Sequence, residues 1–165
     1  MTDRMLLERL QPSLLDRLMD DEPDKETEAG SKRIIDVRRL REIIVRDLAW
    51  LLNTSNIDTD HALRDSPNTA TSTLNFGIGD VSGTHATIDR AEQIRQSIRS
   101  AIETFEPRIL PHTLNVDMRQ EKVGSGAMIS FEIRGELWAE PVPIDLYLKT
   151  ALDVTTGEVT ISRQQ

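Results

Sequence analysis

Apolar residues recur at three- and four-residue intervals over two long stretches of the chain, and this spacing predicts two amphipathic α-helices. The first stretch runs from Ile34 to Asn53, and its stripe consists of Ile34, Val37, Leu40, Ile44, Leu48 and Leu51. Ile43, Trp50 and Leu52 widen this apolar face beyond one stripe. So broad a face either serves the core alone or packs on the core and offers a second contact surface, and we favour the second interpretation.

The second helix begins near Thr87, whose hydroxyl suits an N-cap, and acids that favour a helix start follow at Asp89 and Glu92. Its apolar stripe consists of Ile88, Ala91, Ile94, Ile98, Ala101, Ile102 and Phe105. Pro107 has no backbone N–H and cannot continue a helix, so we expect the helix to end before it.

Beyond Pro107 the apolar period changes from about 3.6 to about 2, which predicts β-strands. The alternating positions are Leu114, Val116 and Met118, then Ile129, Phe131 and Ile133, then Ile144, Leu146, Leu148, Leu152 and Val154, and a last strand covers Val159 to Ser162. The loop EKVGSGA forms a hairpin, and TTGE at 155–158 turns the last strand back on its neighbour. The sequence therefore predicts an α+β fold, with two main amphipathic helices packed on one face of an antiparallel sheet of three to four strands.

The N-terminal part differs in composition from the rest. Residues 1–19 carry apolar side chains at helical spacing, interrupted by Pro12, and residues 20–33 are acidic and without large apolar side chains. We predict an N-terminal apolar helical segment, an acidic linker and one folded domain over 34–165. The segment either folds back on its own domain or is a detachable peptide that binds a partner, and we favour partner binding. The side chains concerned are Leu6, Leu10, Leu14 and Leu18.

Residues 54–86 are rich in Thr, Ser, Asn, Asp and Gly, and an unstructured loop of this length is unusual within a compact domain. We expect short turns, or a brief helix between Asp60 and Arg64. The stretch STLNFGIGD at 72–80 contains the apolar residues Leu74, Phe76 and Ile78. It lacks the GK[ST] ending of a phosphate-binding loop, so we interpret it as tight turns that hold the loop to the core.

Charge and composition narrow the function. The chain has 165 residues and a net charge of -8, which disfavours nonspecific binding to nucleic acid or anionic lipid and favours protein partners. It has no cysteine, so disulfides and thiol nucleophiles are excluded. The opening residues are interrupted by charges and contain no run long enough for a signal peptide or a membrane span. We therefore expect a cytoplasmic protein without direct membrane insertion.

Candidate catalytic and metal-binding groups are sparse. The histidines are His61, His85 and His112. None has a companion at ligand spacing, so we expect no metal and no cofactor. The chain has no GxSxG motif for acyl transfer. Glu103 and Glu106, one turn apart, could be nominated for glycoside hydrolysis. Acids at a helix C-terminus, however, meet an unfavourable dipole, and Arg108 offers Glu106 an ion pair instead.

The stretch FEPRIL at 105–110 places an acid, a proline and an arginine between the second helix and the first strand. We refer to Glu106, Pro107 and Arg108 as the triplet. Pro107 stiffens the corner, so the two charged side chains leave it in defined directions. The pair either braces the domain or binds a partner. Its position suggests partial exposure, so we predict partner binding and a near-normal melting curve for Arg108→Ala.

Four motifs in a fixed order carry a resemblance to a known family. They are VRDLAWLLNT at 45–54, STLNFGIGD, FEPRIL and TTGEV. With them, residues 35–163 resemble the phage-baseplate wedge family that is often labelled lysozyme-like, and within it the TssE-type subunits of bacterial type VI secretion systems. The triplet is the most recognisable mark of that family and is intact here. Phe76 stands where many relatives are expected to have tyrosine, which is a mild departure.

The resemblance implies a noncatalytic structural subunit of the type VI secretion baseplate wedge, with a fold similar to the core of the contractile sheath subunits. It implies wedge partners of the TssF and TssG types, with the TssK type as a further candidate, and sheath partners of the TssB and TssC types. The subunit would template sheath assembly from a cytoplasmic, membrane-docked baseplate complex. The alternative is a peptidoglycan-cleaving, lysozyme-like hydrolase. The sequence disfavours it, because it offers no convincing catalytic acid and nucleophile.

Overall fold

The computed structural model describes residues 13–18, 24, 35–58, 63–83, 87–119, 128–139 and 143–163. Over these residues it contains the helices α1 (Leu14–Leu18), α2 (Val37–Leu52), α3 (Pro67–Ala70) and α4 (Ile88–Phe105), with 3₁₀ turns at Leu63–Asp65, Thr73–Asn75 and Pro111–Thr113. The strands are β1 (Asn115–Arg119), β2 (Met128–Leu137), β3 (Ile144–Asp153) and β4 (Val159–Arg163). In the described part of the chain, no helix is both long enough and apolar enough to cross a membrane.

The two long helices begin where a side chain caps the first turn. The carboxylate of Asp36 accepts a hydrogen bond from the N–H of Arg39 at 2.6 Å, so α2 starts slightly later than its apolar pattern predicts. The hydroxyl of Thr87 accepts one from the N–H of Arg90 at 3.2 Å, which confirms Thr87 as the N-cap of α4. Both starts reflect the preference for short oxygen-bearing side chains at this position.

The four strands form one antiparallel sheet in the order β1-β2-β3-β4, which confirms the predicted meander and the α+β fold. Val116, Ile133 and Leu148 lie side by side across the first three strands and are fully buried. The turn predicted at TTGE is present, and Gly157 there has a φ of 78°, a conformation that glycine adopts readily. The predicted hairpin loop EKVGSGA lies outside the described residues.

Both long helices pack on one face of the sheet, α4 over β1 and α2 against β4. The predicted stripes form the core between the two layers, with Leu48, Ile98 and Ile102 fully buried. One member of the predicted stripe of α4 lies outside the core: Ile88, in the first turn of the helix, is 75% exposed. In the long loop, Leu74 is 71% exposed.

The face of the sheet opposite the helices carries mainly polar side chains, yet one of its carboxylates is buried. Glu132 is 3% exposed and forms ion pairs with Arg119 and Arg134, whose guanidinium lies over the ring of Tyr147 at 5.1 Å. The hydrogen bond with Tyr147 lowers the pKa of Glu132 although burial opposes this, and the hydrogen bond from Arg134 and the charges of both arginines lower it further. A charged group is therefore covered by its own ion-pair partners rather than by apolar packing.

Tight turns hold the long loop to the core, as the sequence predicts. Ile78 is buried and forms a bridge with Ser55, directly after α2. Gly77 has a φ of 118°, and a Cβ at this position would lie 2.1 Å from the carbonyl oxygen of Thr54. Only glycine allows this approach of the two backbones. The side chain of the buried Asn75 completes the turn by accepting a hydrogen bond at 3.1 Å and donating one at 2.9 Å.

Candidate functional site

The triplet stands where α4 gives way to the sheet. The N–H of Glu106 makes the last hydrogen bond of α4, to the carbonyl of Ile102 at 2.9 Å. Pro107 then ends the helix, and Ile109 pairs with Leu137 at the end of β2. This pairing fixes Arg108 opposite the residue after β2, because the N–H of Trp138 donates to the carbonyl of Arg108 at 2.7 Å. Backbone bonds on both sides therefore hold the corner.

Within the corner, Glu106 is buried and Arg108 is its main partner. Glu106 is 4% exposed. The Nε of Arg108 donates to Oε1 of Glu106 at 2.6 Å, and a terminal nitrogen of the same guanidinium donates to Oε2. That nitrogen also reaches Oδ2 of Asp47, on α2, at 2.6 Å. Burial opposes the charge of Arg108, but the bonds to Glu106 and Asp47 outweigh it and raise the pKa of the guanidinium.

The ion pairs continue from Asp47 to the N-terminal helix. Oδ1 of Asp47 accepts from two nitrogens of Arg46, at 2.7 and 2.9 Å. Arg46 lies over the ring of Trp50 at 4.9 Å and donates to both carboxylate oxygens of Asp16, at 2.5 and 3.0 Å. The hydrogen bond from Arg46 lowers the pKa of Asp16 to about 2, and these contacts raise the pKa of Arg46. We refer to Glu106, Arg108, Asp47, Arg46 and Asp16 as the ion-pair chain.

The N-terminal helix turns Asp16 to the domain and Leu14 and Leu18 to solvent. The side chain of Asp16 is 11% exposed, whereas Leu14 is 71% and Leu18 is 73% exposed. Leu14 and Leu18 are two of the four leucines predicted to bind a partner. Leu6 and Leu10 lie outside the described residues.

The expectation of a partly exposed triplet was right for Arg108 and wrong for Glu106. The side chain of Arg108 is 29% exposed, but Glu106 lies beneath it. An internal partner also exists that sequence reasoning missed. Asp47 and Arg108 are 61 positions apart, and no local spacing relates them. The adjacent opposite charges Arg46 and Asp47 gave no clear signal, because Arg41 and Glu42 repeat the same pattern on the same helix.

Neither of the nominated catalytic acids is free. Glu103 pairs with Arg99 at 2.9 Å, and both oxygens of Glu106 are engaged by Arg108. Within the described ranges, no group of three or more potential ligands could hold a metal ion. His112 is exposed, and the other two histidines lie outside those ranges.

A polar cleft of about 280 Å³ lies beside the C-terminal end of α2. Its lining includes Ser55, Asp80 and Gly157, and no member of the triplet or of the ion-pair chain. Hydrogen bonds from Ser82, its backbone first, lower the pKa of Asp80. The cleft therefore lies where the long loop meets the turn at residues 155–158, and the triplet lies elsewhere.

Comparison with protein families gave a match over residues 38–142, which is more than half of the chain. The matching family is described as baseplate wedge protein gp25. The match includes the triplet, all of α4 and most of α2, so the resemblance predicted from the motifs is confirmed at the level of the family. Neither the curated proteins nor the solved structures gave a significant match to the chain.

Proposed function

We propose that this chain, which belongs to the baseplate wedge protein gp25 family, is a noncatalytic structural subunit of a type VI secretion baseplate wedge. In this role it docks on other wedge proteins and templates assembly of the contractile sheath. The family match carries the proposal. A structural part of a baseplate acts by binding other components, so its function lies in surfaces whose geometry is fixed.

Two of these surfaces are the triplet and the N-terminal leucines. Arg108 keeps 29% of its side chain exposed although its charge is paired, and Pro107 beside it is exposed. A paired and preorganised guanidinium loses little conformational freedom when a partner covers it. Leu14 and Leu18 offer exposed apolar side chains on one helix, and we assign Leu6 and Leu10 to the same surface from their spacing.

The sheet supplies a third surface for templating. In the described sheet, β1 and β4 are the edge strands, and an edge strand presents unpaired N–H and C=O groups to which another strand can pair. We propose that sheath subunits of the TssB and TssC types add to such an edge.

The wedge partners we propose are of the TssF and TssG types, with the TssK type as a further candidate. The proposed location is cytoplasmic, in a membrane-docked baseplate complex. We propose neither a nucleic-acid partner nor direct membrane insertion. The net charge of -8 supports the first of these statements, because nucleic acid repels an acidic surface.

Co-purification with co-expressed wedge subunits tests the docking surfaces. We expect Leu14→Ser combined with Leu18→Ser to reduce recovery of TssF-type and TssG-type subunits at least tenfold. The melting temperature should not change, because both side chains are exposed. Leu74→Ser is a matched control, since Leu74 is equally exposed in the long loop. Full recovery with the double variant would remove the leucines from the docking surface.

The rival function is a peptidoglycan-cleaving, lysozyme-like hydrolase. The ion pairs of Glu103 and Glu106 oppose it, because a general acid must be free to give up a proton to the leaving group. The test is release of soluble fragments from purified peptidoglycan. We expect none above a buffer control. Turnover that Glu106→Gln abolishes in a folded variant would favour the hydrolase.

A further inference from the structure

We propose that the helix α1 is held to the domain by a latch, the Asp16–Arg46 ion pair, and that opening the latch changes the ion pairs of the triplet. The proposal rests on the proposed function in one respect only. The proposed function makes α1 and the triplet partner-binding elements. The ion-pair chain couples the two.

The contact that holds α1 is electrostatic. Asp16 makes two hydrogen bonds to Arg46, while Leu14, Leu15 and Leu18 remain exposed. A helix of five residues is too short to be stable alone in water, so its helical state depends on docking. Ser13 supports the docked form, because its hydroxyl accepts from the N–H of Asp16 at 3.4 Å and donates to the carboxylate.

The acceptor of the latch is shared with the triplet. In the docked state, the three carboxylates of Asp16, Asp47 and Glu106 share two guanidiniums. When Asp16 leaves, Arg46 keeps only Asp47 among the described acceptors and attracts it more strongly. Since Asp47 holds Arg108 through its other oxygen, at 2.6 Å, a shift of Asp47 toward Arg46 loosens that bond. Arg108 then depends more on Glu106.

The coupling acts in both directions, because linkage between two sites is reciprocal. A partner that binds Leu14 and Leu18 and draws α1 away from the domain would loosen the bond between Asp47 and Arg108. A partner that binds Arg108 and draws it away from Asp47 leaves Asp47 to Arg46 alone, which weakens the hold of Arg46 on Asp16 and so on α1. Binding at one of the two elements thereby changes the ion pairs of the other through Arg46 and Asp47, without a change in the fold.

Each of the two tryptophans contacts one arginine of the ion-pair chain, so the two serve as separate probes of its two guanidiniums. Trp50 lies under Arg46, and the backbone N–H of Trp138 donates to the carbonyl of Arg108. We would label the full-length protein with 5-fluorotryptophan, which gives one fluorine NMR signal for each, and assign them with Trp50→Phe and Trp138→Phe. Hydrogen exchange of the amides in α1 is measured in parallel.

Asp16→Asn removes the charge of the latch with little change in volume. We expect the amides of α1 to exchange at least tenfold faster, the Trp50 signal to shift, and the Trp138 signal to shift by a smaller amount. Asp16→Glu keeps the charge, so we expect its exchange rates and both of its signals to stay much closer to those of the unsubstituted protein. The matched control is Glu92→Gln, which neutralises a carboxylate paired with Arg95 on α4, and it should move neither signal.

Each other outcome overturns a part of the proposal. Unchanged exchange in α1 would mean that no latch exists. Faster exchange with a Trp138 signal that moves no more than in Glu92→Gln would mean that the latch is not coupled to the triplet. The measurement uses the isolated protein, so it can fail while co-purification with wedge subunits succeeds, and the reverse also holds.

Discussion

Replacing Arg108 by alanine tests whether the triplet stabilises the domain. The change removes every side-chain donor that reaches Glu106 from Arg108 and leaves that carboxylate with the backbone N–H of Arg108, at 3.2 Å. It also takes one partner from Asp47. Because Glu106 is 4% exposed, water reaches it poorly in the folded state. The variant therefore keeps a buried charge that has lost its main counter-ion.

The magnitude follows from this burial. Breaking a fully buried ion pair by removing one partner costs about 3 to 5 kcal/mol. Arg108 is 29% exposed, so water can replace part of its guanidinium, and we expect a loss of about 2 to 3 kcal/mol in the free energy of unfolding. For a chain of this size that corresponds to a fall of roughly 5 to 10 °C in melting temperature. From the burial of Glu106 we therefore expect a clear loss of stability, where the sequence alone led us to expect a near-normal melting curve.

The assay is equilibrium urea unfolding at pH 7, with two comparisons. Arg99→Ala is the matched control, since Arg99 pairs with Glu103 on the same helix but both side chains are well exposed, and it should cost no more than about 0.5 kcal/mol. Adding Glu106→Gln to Arg108→Ala removes the uncompensated charge and should recover about 1 kcal/mol or more.

Two results would refute this reasoning. If Arg108→Ala costs no more than Arg99→Ala, the triplet does not brace the domain, and its role would lie wholly in binding a partner. If Glu106→Gln lowers the stability of Arg108→Ala further, the loss does not come from an unpaired buried charge. An effect that is large and partly rescued supports the brace and leaves the exposed part of Arg108 available for a partner.

Three further predictions address the latch, the long loop and the core. The ordinary pKa of Asp16 is 3.8 and the docked value is about 2, so the latch is fully formed above a pH of about 4 and opens as the pH falls toward 2, as the Trp50 fluorine signal should record. Gly77→Ala should cost roughly 2 to 5 kcal/mol in urea unfolding, whereas Gly83→Ala, with a φ of 67° and open space, should cost about 1 kcal/mol; equal losses would contradict the close approach. Ile98→Ala should cost about 3 kcal/mol and Ile88→Ala less than about 0.5 kcal/mol by the same measurement, because only Ile98 is buried.

Local patterns predicted most of the fold. The 3.6-residue and 2-residue periods located both long helices and all four strands, because each element buries one face against the other layer. Thr87, Pro107 and Gly157 marked a helix start, a helix end and a turn through the conformations that these residue types favour. Such signals act within a few residues, so they can be recognised without knowing which helices and strands pack against each other.

The arrangement of charges could not be predicted in the same way. Asp47 meets Arg108 only because α2 and the end of α4 pack side by side, and Asp16 meets Arg46 across the stretch that includes the acidic linker. Glu132 has the alternation of a solvent-facing residue, yet it is buried under two arginines. Long side chains can cover a carboxylate from several directions, and a sequence pattern contains no record of which ones do so.

Attaching α1 through Asp16 explains how an apolar helix can be ordered and still present its leucines. Had Leu14 and Leu18 held α1 to the domain, they would be buried in the contact and unavailable to a partner. An ion pair on the opposite side of the helix leaves Leu14 and Leu18 free, and breaking it does not change the exposure that these two side chains already have. Because α1 is held by an ion pair, its attachment is sensitive to ionic strength. Salt screens partly exposed charges over a distance of about 8 to 10 Å. Release of α1 should therefore become easier as salt rises, while the apolar core beneath α2 keeps its packing.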